Sequence, residues 1–411
     1  MSVAEGSVMR RVLRRPAFRR LFAAQTVSRW GDTFNSVALV VLVYELTGSG
    51  LKVAGTVIFE IVPVVALGFV AGSVVDRYPR RHVMLIADLA RAGVAMLLVF
   101  DHQHLPVIYL AAFLLSALSV FFNPAAASML PSLVPADEIV SANSAIWSAA
   151  VISQIALAPV AGVIVALAGP GPAFAVNATS FLVSAAFVAQ LPVTSPIRRA
   201  STKRFGDITD GLALIRDSRF LTVLAGVQGL AALATGATSA MLVVLAKEHL
   251  NISSGRFGLL IAAIGVGAGF GPLVLQRLVQ DVNRPPFLYG PYVLRGGVDL
   301  ALATSTNFAV ALGALGVYGI GTSTGNVTYN SILQTNVPNE LRGRVFAFYD
   351  VVWQSARLAS IGVGGVLADR HGITTVYWAG GLLLLAAGTL GLTTGRNLSI
   401  STSPDLTRPQ P

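Results

Sequence analysis

Ionisable side chains inside long apolar stretches are the residues of this sequence best suited to chemistry. Asp32 and Glu60 each interrupt such a stretch. A charged group in a bilayer-spanning segment costs about 3 kcal/mol, and it usually faces protein or a water-filled cavity. A carboxylate placed there can take up and release a proton. We therefore treat Asp32 and Glu60 as candidate proton-binding groups.

Cations near these carboxylates offer partners for them. Arg29 lies three residues before Asp32, so the two side chains share a helix face. If Arg29 holds Asp32 ionised, the pair is structural; otherwise Asp32 can exchange a proton with a cavity, and the sequence leaves both open. Two further pairs have helical spacing and are interpreted as structural: Asp88 with Arg91, and Arg295 with Asp299.

The composition requires that these charges sit in a membrane protein. Of the 411 residues, 54% are hydrophobic and 12% are charged, about half the charged fraction of a soluble domain. The mean hydropathy of +0.70 excludes a disordered chain. Each apolar stretch is long enough for a spanning helix of about 20 residues. These stretches cover residues 18–44, 53–75, 83–101, 105–130, 140–168, 172–191, 219–246, 257–280, 286–304, 308–333, 345–368 and 373–395.

The distribution of positive charge orients the predicted helices. Of the 29 Lys and Arg residues, 21 fall on the side of both termini and 4 on the opposite side. This bias follows the positive-inside rule, so we expect a multi-pass protein of the cell membrane with both termini in the cytoplasm. The net charge of +10 is then an orientation signal, and no nucleic-acid partner is expected.

Signals for enzymatic chemistry are missing from the sequence. The chain has no cysteine, no phosphate-binding Gly-Lys-Ser/Thr motif, and no nucleophile–base or metal-ligand pattern. We expect neither an enzyme nor a bound cofactor or metal, and ATP is not the energy source within this chain.

An internal repeat divides the chain into two halves. The pattern that runs from Asn123 to Gly169 recurs 203 residues later, from Asn326 to Gly372. Repeats of this kind build transporter folds with a cavity between the halves. We predict an all-α fold of twelve transmembrane helices in two pseudo-symmetric six-helix bundles. The bundles cover 18–191 and 219–395, with a basic cytoplasmic segment at 1–17, a linker with an amphipathic helix at 192–218, and a disordered tail at 396–411.

The turn after the second apolar stretch carries a family resemblance. Residues 72–81 read Gly-Ser-Val-Val-Asp-Arg-Tyr-Pro-Arg-Arg, which resembles the Gly-x-x-x-Asp-Arg-x-x-Arg-Arg signature of the major facilitator superfamily. Segments 18–21, 28–32, 88–91, 123–125, 142–143 and 341–345 resemble the branch that holds enterobactin-type siderophore exporters and macrolide efflux pumps. The resemblance implies a proton-driven secondary transporter, and we expect a monomer in the lipid bilayer.

Two motifs of that family are placed on this sequence. In the gating motif (Gly72, Asp76, Arg77, Arg80 and Arg81), we expect the glycine to permit close helix approach and the arginines to meet water and lipid phosphate. The resemblance implies that the aspartate latches the halves in the outward-facing state. The antiporter signature Gly-Pro-x-Gly-Gly appears as Ala-Pro-Val-Ala-Gly at 158–162, in which Pro159 and Gly162 keep the kink and the close packing.

Glu60 has no basic residue three or four positions away. Its depth is roughly 12 Å from the outer surface, and Arg357 lies roughly 20 Å from the inner surface. The two depths nearly coincide in a core about 30 Å thick. We therefore hypothesise a Glu60–Arg357 contact between the halves that forms in one access state. The alternative is that Asp350, seven residues before Arg357 on the same face, neutralises it.

Polar and aromatic residues on helices that line the cavity in this fold are the candidate substrate contacts. Hydrogen bonding between helices is the alternative role for each of them. Such groups suit a bulky amphipathic solute. The candidates are Asn35, Asn123, Gln154, Gln228, Tyr329, Asn330, Trp353 and Gln354.

The leading functional hypothesis is a secondary active exporter of a drug-like or siderophore-like small molecule, driven by the proton-motive force through Asp32 and Glu60. Rocking of the two halves would give alternating access. An uncoupled or uptake facilitator of the same fold is the alternative within transport. A non-transporting membrane sensor or partner protein is the alternative from another class.

Overall fold

The computed structural model describes residues 11–135, 138–193, 215–278, 285–337 and 339–395. This part of the chain is helical and contains no strand. Twelve helices of at least 18 residues follow one another: α1 Pro16–Thr47, α2 Gly50–Arg77, α3 Arg80–Phe100, α4 Leu105–Met129, α5 Ile139–Ala168, α6 Gly171–Val188, α7 Arg219–Ala240, α8 Ser254–Leu278, α9 Pro285–Thr304, α10 Phe308–Asn336, α11 Asn339–His371 and α12 Ile373–Thr394.

The all-helical membrane fold is confirmed. Ten of these helices are long and apolar enough to cross a membrane within the described ranges. The remaining two, α1 and α9, are interrupted by charge, with Arg29 and Asp32 in the first and Arg295 and Asp299 in the second. Those side chains lower the hydropathy of helices that are otherwise long enough to span.

Short connections with defined caps separate neighbouring helices. Gly48 ends α1 in the left-handed conformation at φ +58°, and its N–H donates to the carbonyl oxygen of Tyr44 at 2.8 Å. The Ser49 hydroxyl then accepts from the backbone N–H of Lys52 and starts α2. A glycine closing one helix and a serine opening the next are the residues expected at those two positions.

The chain forms two compact units. Unit 1 contains residues 1–200 and 243–265, and unit 2 contains residues 201–242 and 266–411. The helix pairs repeat: α1 packs on α5 and α6, and α3 on α4 and α6, while in unit 2 α7 packs on α11 and α12, and α9 on α10 and α12. The repeat detected in the sequence therefore corresponds to a repeated packing pattern.

The predicted domain boundaries stay a prediction, since residues 243–265 group with unit 1 although they follow the midpoint of the chain. Residues 1–10 of the predicted basic segment lie outside the described residues. So do 194–214 of the predicted linker, with most of its amphipathic helix, and the predicted tail 396–411.

Each unit has its own apolar core. In unit 1 the core includes Phe18, Met84 and Phe122. In unit 2 it includes Leu224 and Tyr349. These cores hold the helices that present polar side chains to the pockets described next.

Candidate functional site

A pocket of about 580 Å³ lies within unit 1, among α1, α2, α3 and α4. We name it the unit 1 pocket. It brings together both predicted proton-binding groups, Asp32 and Glu60, with two predicted cavity residues, Asn35 and Asn123. Its other polar lining residues are Gln25, Ser28, Arg29, Ser36, Arg91, Ser116 and Ser119.

The α1 wall of this pocket follows from residue spacing. Gln25, Ser28, Asp32 and Asn35 are spaced three or four residues apart, and Ser36 follows Asp32 by four, so they occupy one face of the helix. The opposite side of α1 packs on α5 and α6. One polar face and one packed face are what a cavity-lining helix requires.

The arginine closest to Asp32 in sequence does not pair with it. Among the described residues no ion pair joins Arg29 to Asp32. Arg29 is exposed and Asp32 is half-buried. Arg91 and Arg29 both line the pocket with Asp32 and act on it electrostatically, but Asp32 forms an ion pair with neither of them among the described residues.

Arg91 is a pocket residue that the sequence analysis missed. It forms the expected ion pair with Asp88. Its guanidinium also lies 4.4 Å from the ring centroids of both Phe122 and Phe181, and it donates to the Ser119 hydroxyl at 3.3 Å. The predicted structural pair is therefore present, and its cation also lines the pocket beside Asp32.

A second pocket of about 240 Å³ lies within unit 2, among α7, α9, α10 and α11. We name it the unit 2 pocket. It contains the predicted cavity residues Gln228, Tyr329, Asn330 and Trp353, together with Asp350. Its further lining residues, which sequence reasoning did not select, include Tyr292, Arg295, Asn326, Phe346 and Tyr349.

Aromatic rings form much of this second wall and are held by hydrogen bonds and edge contacts. The Tyr292 hydroxyl donates to Oε1 of Gln228 at 2.5 Å. The Tyr349 hydroxyl donates to the carbonyl oxygen of Leu221 at 2.7 Å. The ring of Tyr329 meets those of Phe346 and Tyr349 edge to face, at centroid distances of 6.2 and 6.0 Å.

The expected Arg295–Asp299 pair is wrong as a direct contact. Arg295 donates instead to the Tyr318 hydroxyl at 2.9 Å and lies 4.6 Å from that ring's centroid. No ion pair between Arg295 and Asp299 is present in the part of the chain that the structure describes. Asp299 is buried.

The order of the two residues explains the difference. Helical side chains lean toward the N-terminus, so an acid that precedes a base pairs better than the reverse. Asp88 precedes Arg91 and pairs with it. Arg295 precedes Asp299, and the arginine turns to Tyr318 on α10. Arg29 likewise precedes Asp32 without pairing.

The remaining predicted residues lie outside these two pockets. Gln154, Gln354 and Arg357 are absent from both linings. Glu60 and Arg357 belong to different units, so their proposed contact stays a prediction. Its alternative, neutralisation of Arg357 by Asp350, also stays a prediction; Asp350 lines the unit 2 pocket, and no ion pair joins it to Arg357 among the described residues.

The gating motif occupies the α2–α3 turn, and the structure corrects one expectation there. A Cβ added at Gly72 would meet no described atom within 4 Å, so no described residue approaches this glycine closely, and its expected close helix approach stays a prediction. Asp76 and Arg77 are exposed, but Arg80 is buried. Arg80 is the first residue of α3, which packs on α4 and α6, and this position places its side chain against protein.

A family model described as "transmembrane secretion effector" matches residues 11–402, nearly the whole chain. The chain belongs to this family of major facilitator transporters. The resemblance drawn from residues 72–81 is thereby confirmed.

Relatives and solved structures agree with this assignment. The chain is 26% identical over 420 residues to the multidrug efflux pump Tap of Mycobacterium bovis, covering 98% of this chain and 99% of the relative. It is 21% identical over 378 residues to macrolide efflux protein A of Streptococcus pyogenes, covering 90% and 93%. A mutant form of the nucleoside transporter NupG has the same fold, with a TM-score of 0.75 at 13% identity over 92% and 99% of the chains.

The altered signature on α5 packs closely against the start of α8, and we call the contact between Gly162 and Gly258 the glycine seam. A Cβ at Gly162 would lie 2.5 Å from the carbonyl oxygen of Ser254 and 3.2 Å from Cα of Gly258. A Cβ at Gly258 would lie 2.8 Å from Cα of Pro159. Both partners lie in unit 1, and backbone-to-backbone contact of this kind depends on small residues.

An ion pair lies beside the seam, at the end of α1. Nζ of Lys247 donates to Oε1 of Glu45 at 2.8 Å and to the Ser254 hydroxyl at 3.0 Å. Lys247 belongs to a π-helical turn, Leu245–His249, which precedes α8. The Ser254 hydroxyl also donates to Oε1 of Glu45 at 3.2 Å, so the first residue of α8 is bonded to α1 both directly and through Lys247.

Proposed function

We propose that this transporter is a proton-coupled exporter of amphipathic small molecules, with Asp32 and Glu60 as the coupling carboxylates. One observation carries the proposal: both carboxylates line one pocket within unit 1, together with the amides of Asn35 and Asn123. The names of two relatives, a multidrug efflux pump and a macrolide efflux protein, support export of drug-like solutes.

The pocket offers the chemistry that coupling needs. The proton affinity of a carboxylate rises when water is excluded and falls when a cation approaches. Arg91 is the buried cation of this pocket and is fixed between two rings. Any motion that changes the separation between Arg91 and Asp32 would change the proton affinity of Asp32.

Alternating access would come from rocking of the two six-helix halves. Movement of this kind needs helix contacts that can slide, and small residues provide them. Each coupling carboxylate would then exchange its proton on one side and meet substrate on the other.

An uptake or uncoupled facilitator is the second candidate, because the α5 signature is altered. Ala158 and Ala161 stand where the family motif has glycine. If that signature is needed to exclude proton leak or to enforce exchange, its alteration favours transport without coupling.

A proteoliposome experiment separates these candidates. Purified protein is reconstituted and loaded with erythromycin or ethidium, and solute flux and internal pH are followed together. We expect solute export with opposite proton movement in the wild type, and loss of proton movement in Asp32→Asn and Glu60→Gln. Asp217→Asn, an exposed carboxylate outside both pockets, is the matched control and should behave as wild type. Solute flux with no proton movement in any variant would favour the facilitator.

A further inference from the structure

The described lining of the unit 2 pocket combines aromatic rings with one carboxylate, that of Asp350, and this combination suits an organic cation. We propose that this pocket binds the ammonium head group of the transported molecule, with Asp350 as counter-ion and the rings of Tyr329, Phe346 and Trp353 around it. This inference rests on the proposed function and deepens it, because it names amphipathic organic cations as the substrate class.

Asp350 is the group that gives the pocket its charge preference. It is exposed toward the pocket space, and it has no hydrogen bond or ion pair with any residue in the described ranges. Its carboxylate acts electrostatically on Tyr329, which places the charge beside the aromatic wall. A carboxylate without a partner in a half-enclosed pocket attracts a cation more strongly than one in open water.

The pocket's own cation does not compete for Asp350. The guanidinium of Arg295 donates to the Tyr318 hydroxyl and stacks on that ring. The acid that acts on Arg295 electrostatically is Asp299. Arg295 is therefore held on Tyr318, and no ion pair joins it to Asp350 among the described residues.

The pocket lining contains several aromatic rings, the side chains that organic cations bind. A cation is attracted to the face of a ring within about 6 Å of its centroid. Because Tyr329 meets Phe346 and Tyr349 at interplanar angles of 88°, neighbouring rings do not cover one another's faces completely. The hydroxyls of Tyr292 and Tyr349 are already bonded within the protein, so these rings need no polar partner from the ligand.

The size of the pocket limits the ligand portion that enters it. Its volume of about 240 Å³ is below the roughly 300–1,000 Å³ that sites for whole drug-sized molecules occupy. A head group therefore fits, while the apolar remainder of the molecule extends beyond the rim. Asn326 and Asn330 are exposed lining residues that can bond polar groups next to the cation.

Calorimetric titration with a matched pair of probes tests the proposal. Benzyltrimethylammonium and its neutral carbon isostere neopentylbenzene are titrated into the purified full-length protein in lipid nanodiscs, with empty discs subtracted. We expect the cation to bind at least tenfold more tightly than the isostere. Asp350→Asn should weaken cation binding about tenfold, equivalent to about 1.4 kcal/mol, and leave the isostere unchanged. Phe346→Leu should weaken cation binding about threefold.

Matched variants control for general effects. Asp217→Asn removes an exposed carboxylate outside the pocket, and Phe270→Leu removes an exposed ring of α8; both should bind as wild type. If Asp350→Asn does not fold, Asp350→Glu keeps the charge and should retain affinity within threefold, and Phe346→Leu then decides. No cation binding by the wild type, equal binding of the two probes, or an unchanged affinity in folded Asp350→Asn would each overturn the proposal.

The outcome is separable from that of the proposed function, because binding is measured without transport. Coupled export of erythromycin or ethidium together with failed cation binding would remove the head-group site and leave the exporter. Cation binding with no flux of any probe would support the head-group site and remove the exporter.

Discussion

The glycine seam between α5 and α8 gives a prediction with opposite signs at two positions of one helix. At Gly258 a methyl group would lie 2.8 Å from Cα of Pro159, and closer still to the carbonyl oxygen of Ala158. At Gly269, also on α8, a methyl group would meet no described atom within 4 Å. Gly258→Ala and Gly269→Ala thus add the same methyl group in two different environments.

The expected magnitudes follow from two terms. Replacing a helical glycine by alanine favours the helix by about 0.5–1 kcal/mol. Inserting a methyl group into a filled contact costs about 1–3 kcal/mol, and backbone atoms cannot move aside as a flexible side chain can. We expect Gly258→Ala to lower the free energy of unfolding by about 1–2 kcal/mol, and Gly269→Ala to leave it unchanged or raise it slightly.

The assay is unfolding of the purified protein by sodium dodecyl sulfate in mixed micelles, followed by circular dichroism. A loss of 1–2 kcal/mol raises the unfolding equilibrium constant about 5–30-fold. Gly162→Ala, on the facing helix, should resemble Gly258→Ala because its methyl would lie 2.5 Å from the Ser254 carbonyl oxygen. Seam variants as stable as Gly269→Ala would refute the reasoning, since α5 and α8 would then not be in backbone contact.

Three further predictions concern charged groups. A hydrogen bond from Arg15 holds the pKa of Glu138 below its usual 4.5, so wild type should be more stable than Glu138→Gln at pH 7. This difference in stability should disappear as the pH falls below the lowered pKa. Thermal midpoints at pH 7, 5 and 3 check this, and a pH-independent difference would contradict it. Arg91→Met leaves Asp88 buried without its cation and should lower the free energy of unfolding by about 3–5 kcal/mol. The Asp88→Leu/Arg91→Met double variant should recover much of that loss. Detergent unfolding measures both variants, and an equal loss in the two would count against the pairing. Lys247→Met should lower the free energy of unfolding by less than about 1 kcal/mol, because its partner Glu45 is 48% exposed. A loss above about 2 kcal/mol in the same assay would show that water screens this ion pair less than the structure indicates.

The sequence predicted the helices well because hydropathy and length decide them. The polar face of α1, from Gln25 to Ser36, could also be predicted, since helical spacing alone places these side chains together. That Glu60 lies on the same pocket as Asp32 depends on the rotation of α2 about its axis. Residue spacing does not determine how α2 is rotated, because most faces of this helix are apolar.

Residues missed in the pockets show where sequence reasoning ends. Arg91 was interpreted only as the partner of Asp88, because spacing identifies a pair and not the cavity beside it. Tyr292 and Tyr349 were missed because an aromatic residue in an apolar helix packs in a core or lines a pocket with the same local pattern. The absence of an Arg295–Asp299 bond could have been anticipated from the order of the two residues.

Proton movement driven by solute in proteoliposomes shows whether Asp32 and Glu60 couple transport to protons. An outward gradient of erythromycin or ethidium is imposed without a pH gradient, and the internal pH is recorded in wild type, Asp32→Asn, Glu60→Gln and the control Asp217→Asn. We expect a solute-dependent pH change in wild type and control and none in the two pocket variants. The same pH change in all four proteins would contradict the assignment of Asp32 and Glu60 as the coupling carboxylates.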